Sequence, residues 1–357
     1  MPCTRNDVHC VSIEHKMGIK ASPTAVLQYG DNGGAIGYLV GQENRGLEYM
    51  FIMMNAARFG VGMQGVALAE RAYQKAVQYA RDRVQSRPVD GSLNEAAPII
   101  HHPDVRRMLM TMRAHTEGCR AMAMVAAAAF DAAHAHPDAE VRKQNHAFYD
   151  FMVPLVKGLS TEMSLEVASL GVQVHGGMGY IEETGAAQHL RDAKILTIYE
   201  GTTAIQANDL VGRKTARDGG AVARGIAGQI AATEAELRAR GSANGLAMAR
   251  RLEAGRRAFI DVVDFIAGAS KTQPNAVYAG SVPYLMLAGT VVAGWQMARA
   301  LMVAEDRLAQ GVDPAFMQAK IATARFYGDH ILNKTTALRD SIVEGAESVT
   351  ALALESF

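Results

Sequence analysis

Between residues 47 and 81, apolar side chains recur every three or four positions. Leu47, Phe51, Met54, Val61, Gly65, Leu68 and Ala72 form one stripe, which predicts a long helix. Gly60, Gly62 and Gly65 lie within that helix and point to close approach by another backbone. Residues 1–45 follow a different rule: short β-prone runs alternate with turns. Segment 24–29 reads as a strand, Asp31-Asn32-Gly33-Gly34 as a turn, and 35–40 as the returning strand. Two strands alone are marginal in water, so this piece calls for further strands from elsewhere in the chain or from a partner.

Downstream the signals are helical. Pro103 and Asp104 suit a first turn, and that helix extends to about Ala135. Pro137-Asp138 opens another, with Pro154 as a kink. Ser160 can cap a helix through Val174, which Gly176-Gly177-Met178-Gly179 stops. Helical patterns resume over 186–195 and 202–213. Asp218-Gly219-Gly220 is the best linker, and 222–239, 245–267, 283–310 and 314–352 suggest an up-down bundle. Segment 284–298 is nearly uncharged, but its 15 residues fall short of the ~20 that span a bilayer, so it reads as a buried helix. The expected fold is mainly α. A partial sheet occupies 1–45, a four-helix domain 46–213, and a second helical bundle 214–357.

Composition narrows the function. The 357 residues are 49% hydrophobic and 20% charged, as in a packed globular protein. Lys plus Arg equals Asp plus Glu at 36 each, which leaves no electrostatic footprint for nucleic acid or an anionic membrane. Cys3, Cys10 and Cys119 lack metal-site or disulfide-framework spacing and read as reduced thiols. With no apolar signal core near Met1, the expected location is cytoplasmic. Neighbouring histidines, 101/102 and 134/136, do not share a helix face and lack a third ligand, so no metal site is expected.

Candidate chemistry concentrates between Gln173 and Asp209. The glycines at 176, 177 and 179 remove side chains and let backbone amides approach a flat or phosphorylated ligand. Glu200 sits between Tyr199 and Gly201 just before a helix, where a carboxylate can act as a base. Thr202 can cap that helix and offer a hydroxyl. From the residues alone, a plain helix C-cap, turn and N-cap is the favoured account, since Gly-rich turns are common.

The segments Gln173…Gly176-Gly177…Gly179, Arg191-Asp192-Ala193-Lys194-Ile195 and Tyr199-Glu200-Gly201-Thr202 together resemble the C-terminal signature of the acyl-CoA dehydrogenases. Lys16 to Thr24 and Val40 to Leu47 resemble the end of that family's middle β-domain, and Asn55 to Arg58 and Tyr79 to Gln85 its first C-terminal helix. The region after 214 is similar to that of a longer bacterial branch that includes the 3-methylmercaptopropionyl-CoA dehydrogenases. The resemblance implies an FAD enzyme that desaturates an acyl-CoA thioester, with Glu200 taking the α-proton and the β-hydrogen leaving as hydride to flavin N5. It assigns FAD contacts to Arg83, Gln85, Gln173, Gly176, Gly177 and Thr202, and substrate contacts to Asn55, Arg58, Tyr199 and Gly201. For Arg58, a charge on an apolar stripe, an internal ion pair is the alternative. It also implies electron-transfer flavoprotein as a partner and a homo-oligomer, because Arg83 matches an arginine that often meets FAD on a neighbouring subunit. Departures from the pattern are Ser86-Arg87 in place of an aromatic-glycine pair, His102-Pro103 near an expected glutamine, and Ala204. The family's N-terminal helical domain and first strands have no counterpart here, so the sequence is expected to be a truncated part of an enzyme, or to be completed by another polypeptide. The competing readings are a non-catalytic helical assembly subunit, an inactive fragment of the same fold, and a flavoprotein that binds nucleic acid, which the neutral charge disfavours.

Overall fold

A computed structural model describes residues 5–357; Cys3 lies outside the described residues. Strand β1 (Val8–Ile13) pairs antiparallel with β2 (Ala25–Tyr29), Val8 opposite Tyr29 and Cys10 opposite Leu27, with a bulge between Cys10 and Ser12. The partner of β2 is therefore upstream, and 35–40 is not the returning strand. Side chains hold that segment instead. Asp7 accepts from the backbone amides of Asn32 (2.6 Å) and Gly34 (3.3 Å), while Asn6 bonds both the N–H (2.9 Å) and the carbonyl (2.8 Å) of Ile36. These bonds occupy both backbone groups of Ile36 and hold 32–36 against the residues just before β1. Ile36, Tyr38, Leu39 and Val40 remain exposed, as do Val26, Leu27 and Tyr29 on β2, so the small sheet has an open apolar surface.

Three long helices form the first helical layer: α1 (Gly46–Asp82), α2 (Pro103–Ala135) and α3 (Ala139–His175). Leu47 and Phe51 on α1 are exposed, and its buried face begins at Arg58 and Val61. There α1 meets α3 almost backbone to backbone. A Cβ at Gly62 would lie 2.7 Å from the carbonyl oxygen of Val156, and one at Gly65 would lie 2.6 Å from that of Ser160. Asp138 caps α3 by accepting from Glu140 N–H at 2.8 Å. Contrary to expectation, α3 is a single helix through Pro154, and Ser160 is a fully buried mid-helix residue and not a cap. Nearly every side chain from 149 to 161 is buried, and this packing sustains the helix where proline removes one backbone bond.

Short helices α4 (Ala186–Lys194) and α5 (Thr203–Val211) follow, and a π-helical turn over Gly212–Ala216 leads to α6 (Ala221–Arg240) and α7 (Ala243–Ala269). After the single turn and a half of α8 (Pro274–Ala279), α9 (Ser281–Ala309) runs through the interior. It is long and apolar enough to cross a membrane, yet 78% of its most apolar window is buried inside the protein, so core packing accounts for its composition. The expected last helix is broken: α10 (Pro314–His330) ends, and α11 (Thr335–Val343) and α12 (Ala346–Val349) continue separately. The break turns Leu332 into the core, 3.1 Å from where a Cβ would stand on Gly255 of α7 and on Gly294 of α9. One apolar core extends from Val66 to Ile342. Polar ties cross it: Trp295 Nε1–H donates to Thr233 Oγ1 at 2.8 Å, and the Tyr284 and Thr215 hydroxyls meet at 2.9 Å.

Candidate active site

Helix α3 stops at His175 because Gly176 takes a left-handed φ of +58°. Its end faces the end of α1, where the loop from Arg83 is pinned by an isolated bridge between Val84 and Pro98. Within that loop, Gln85 N–H donates to the carbonyl of Ala97 at 3.0 Å and Ile99 N–H to that of Arg83 at 2.8 Å. The two ends bound a cleft of about 600 Å³ whose lining includes Arg83, Gln85, Gln173, Gly176 and Gly177, five of the six residues expected to contact FAD. A Cβ on Gly176 or Gly177 would meet nothing within 4 Å, so these glycines open space on the cleft and are not there for internal packing. The floor is rigid. His175 stacks on Tyr79 with ring centroids 4.3 Å apart, and its Nδ1 lies 2.7 Å from the Gly171 carbonyl. Burial holds its imidazole below the usual histidine range. His102 Nε2 lies 2.8 Å from the Gln85 carbonyl and orients that loop residue. A guanidinium, two exposed primary amides and open backbone fit a phosphorylated, planar ligand such as FAD.

The sixth residue, Thr202, does not line this cleft. Its hydroxyl caps α5, accepting from Ile205 N–H at 3.3 Å. It belongs instead with Tyr199, Glu200 and Gly201 in a tight turn. Glu200 has φ +54° and Gly201 φ +89°, two consecutive left-handed residues, and only the second is free of steric cost. Such strain at a non-glycine residue costs about 1–3 kcal/mol and persists where the surroundings hold it. Among the described residues, no hydrogen bond or ion pair engages the half-buried Glu200 carboxylate. Tyr199 donates its hydroxyl to Gln64 Oε1 on α1.

The substrate-side candidates lie on α1. Asn55 Nδ2 donates to Asp150 at 3.3 Å. Arg58 is buried and pairs with Asp209 of α5 at 3.4 Å, so the ion pair weighed as an alternative is present, while its Nε has no partner. Sequence reasoning gave no role to three residues that tie this region together: Lys157, Gln206 and Asp209. Lys157 had a visible signal, being the one charge between Phe151 and Leu159. Gln206 and Asp209 had none, because ordinary polar residues on a short helix carry no mark of burial.

Residues 44–214 match the family model described as "Acyl-CoA dehydrogenase, C-terminal domain", and 226–353 match "Acetyl-CoA dehydrogenase C-terminal like". The chain is 56% identical to 3-methylmercaptopropionyl-CoA dehydrogenase of Ruegeria pomeroyi, over 98% of the chain and 59% of that protein. It is 37% identical to the broad-specificity linear acyl-CoA dehydrogenase FadE5 of Mycobacterium tuberculosis, over 96% of the chain and 58% of the relative. The chain thus spans about six-tenths of the length of these relatives. In fold, it superposes on an acyl-CoA dehydrogenase complexed with FAD from Bacillus anthracis with a TM-score of 0.71 at 19% identity, covering 97% of this chain and 59% of the other.

Proposed function

The chain belongs to the acyl-CoA dehydrogenase family, and from that premise we propose that it carries the base and the FAD-phosphate cleft of an enzyme that desaturates an acyl-CoA thioester. The observation that carries this reading is the strained Glu200 turn, which presents a carboxylate with no internal partner among the described residues. An unpaired carboxylate held in an unfavourable backbone conformation has no structural use that a glycine or asparagine would not serve better.

Glu200 would accept the proton from the thioester's α-carbon. Bound FAD would supply the acceptor for the β-hydride. Arg83 would pair with its diphosphate, Gln85 and Gln173 would donate amide hydrogens, and Gly176 and Gly177 would let the ligand approach the backbone. Thr202 would add a hydroxyl at the N-terminus of α5. Tyr199, Gly201, Asn55 and Arg58 would border the acyl-CoA, and the unpartnered Nε of Arg58 is a donor left for that ligand. No residue of the Glu200 turn lines the cleft. That separation supports a homo-oligomer in which the cleft of one copy holds the diphosphate of FAD whose reactive ring serves another copy. Electron-transfer flavoprotein would be the partner that reoxidises the enzyme, and the cytoplasm the location.

The test is anaerobic addition of acyl-CoA to FAD-loaded protein. A chimera joined to the segment of the Ruegeria relative that this chain does not match gives a second background. Flavin absorbance should bleach. Glu200→Gln should stay yellow and not bleach, and bleaching at the wild-type rate would remove Glu200 from the chemistry.

A further inference from the structure

Lys157 is fully buried on α3, and its ammonium donates to the Gly201 carbonyl at 2.7 Å. Gln206, equally buried, offers Nε2 to the same carbonyl at 3.4 Å and to that of Glu200 at 3.3 Å. The Gly201 carbonyl thus receives donors from both α3 and α5, and the Glu200 carbonyl one from α5. A buried ammonium is costly unless bonded, so its retention here needs a reason. Three charged groups face it: Glu162 on its own helix, Arg58 on α1 and Glu200 on the turn. None of them makes a direct ion pair with it among the described residues.

We propose that Lys157 is a positioning residue, whose bond to the Gly201 carbonyl keeps the turn left-handed and so aims the Glu200 carboxylate. Its functional consequence rests on reading Glu200 as the base; the bond itself does not. The side-chain hydrogen bond of Lys157 goes to the backbone of the turn, so it acts through the turn. Burial brings its amine down from the ordinary lysine range to about 8, so the bond is charge-assisted at neutral pH and weakens as the proton leaves.

The wild-type chain allows a direct test. Labelling with carbonyl-13C glycine and 15N threonine marks only the Gly201-Thr202 and Gly289-Thr290 pairs. The Gly201 carbonyl resonance should move with a midpoint near pH 8, far above the ordinary carboxylate range, while that of Gly289 stays flat. A Gly201 resonance that stays flat through this range and is also unchanged in Lys157→Met overturns the proposal. In Lys157→Met, amide hydrogen exchange should accelerate about tenfold or more in peptides covering 198–206 and not in α9. Unchanged exchange there also overturns it. In Lys157→Ala, millimolar methylammonium should restore slow exchange by refilling the vacated position, and lack of rescue in a folded variant counts against it. In the FAD-loaded enzyme, Lys157→Met should lower kcat about tenfold or more with KM little changed. Bleaching by Glu200→Gln tests the base independently, so either claim can fail while the other stands.

Discussion

Asp209 on α5 is shared by two arginines: its Oδ2 lies 3.4 Å from Arg58 and its Oδ1 2.5 Å from Arg213. The two partners differ in environment. Arg58 is buried with the carboxylate, whereas Arg213 has 60% of its side chain exposed. Asp209→Asn should therefore destabilise the chain by about 3–5 kcal/mol, because it leaves the Arg58 charge buried and unpaired. Arg213→Ala should cost less than about 1 kcal/mol, since water replaces that partner. Urea denaturation of the two variants separates them, and equal effects would mean that Arg58 finds water or another anion.

The contact between α1 and α3 makes a second contrast. Gly62→Ala and Gly65→Ala would push a methyl into backbone at 2.7 and 2.6 Å, and each should lower stability by about 1–3 kcal/mol. Gly60 is on the same helix, but nothing lies within 4 Å of where its Cβ would stand. Gly60→Ala should raise stability by about 0.5–1 kcal/mol through helix propensity. Thermal melts of the three variants check the sign at each position.

Binding at the 600 Å³ cleft should depend on Arg83. Arg83→Ala should weaken FAD, and ADP used as a fragment of it, by about tenfold or more, the loss of one or two hydrogen bonds to a charged group. Arg83→Lys should recover only part of that, since one ammonium replaces a two-pronged donor. Isothermal titration of ADP reads both variants without any turnover. Affinity unchanged in Arg83→Ala would place the phosphates elsewhere.

Alkaline pH should pull on stability in two directions. Lys157 titrates near 8 when folded and near 10.5 when unfolded, so between those values the unfolded chain binds the extra proton and stability rises with pH. The slope is at most about 1.4 kcal/mol per pH unit for one proton. Burial pushes the Cys119 thiol up to about 12 from 9.0, so from pH 9 upward the unfolded chain loses a proton the folded chain keeps, and stability falls. The difference between wild type and Lys157→Met should therefore grow in favour of wild type from pH 8 to 10.5. The difference between wild type and Cys119→Ala should shrink above pH 9. Denaturation midpoints across pH 7–10.5 give both curves.

Much of this was written in local pattern. The stripe on α1, the proline and aspartate starts of α2 and α3, the glycine stop at 176 and the Thr202 cap are each set by neighbours a few positions away. The motif residues that line the cleft and form the turn were also legible, because glycine and an isolated carboxylate stand out in sequence. Other features depended on what lies across the core. Packing kept α3 whole through Pro154 where a local rule placed a cap at Ser160. The last helix breaks where Leu332 turns into the core. The side chains of Asn6 and Asp7 captured the backbone at 32–36, and a strand was lost. Lys157, Gln206 and Asp209 became site residues only when folding brought positions 44, 5 and 151 apart in sequence within bonding distance. Sequence fixes which short-range conformations are cheap; burial decides which polar groups must find one another, and burial exists only once the helices have packed.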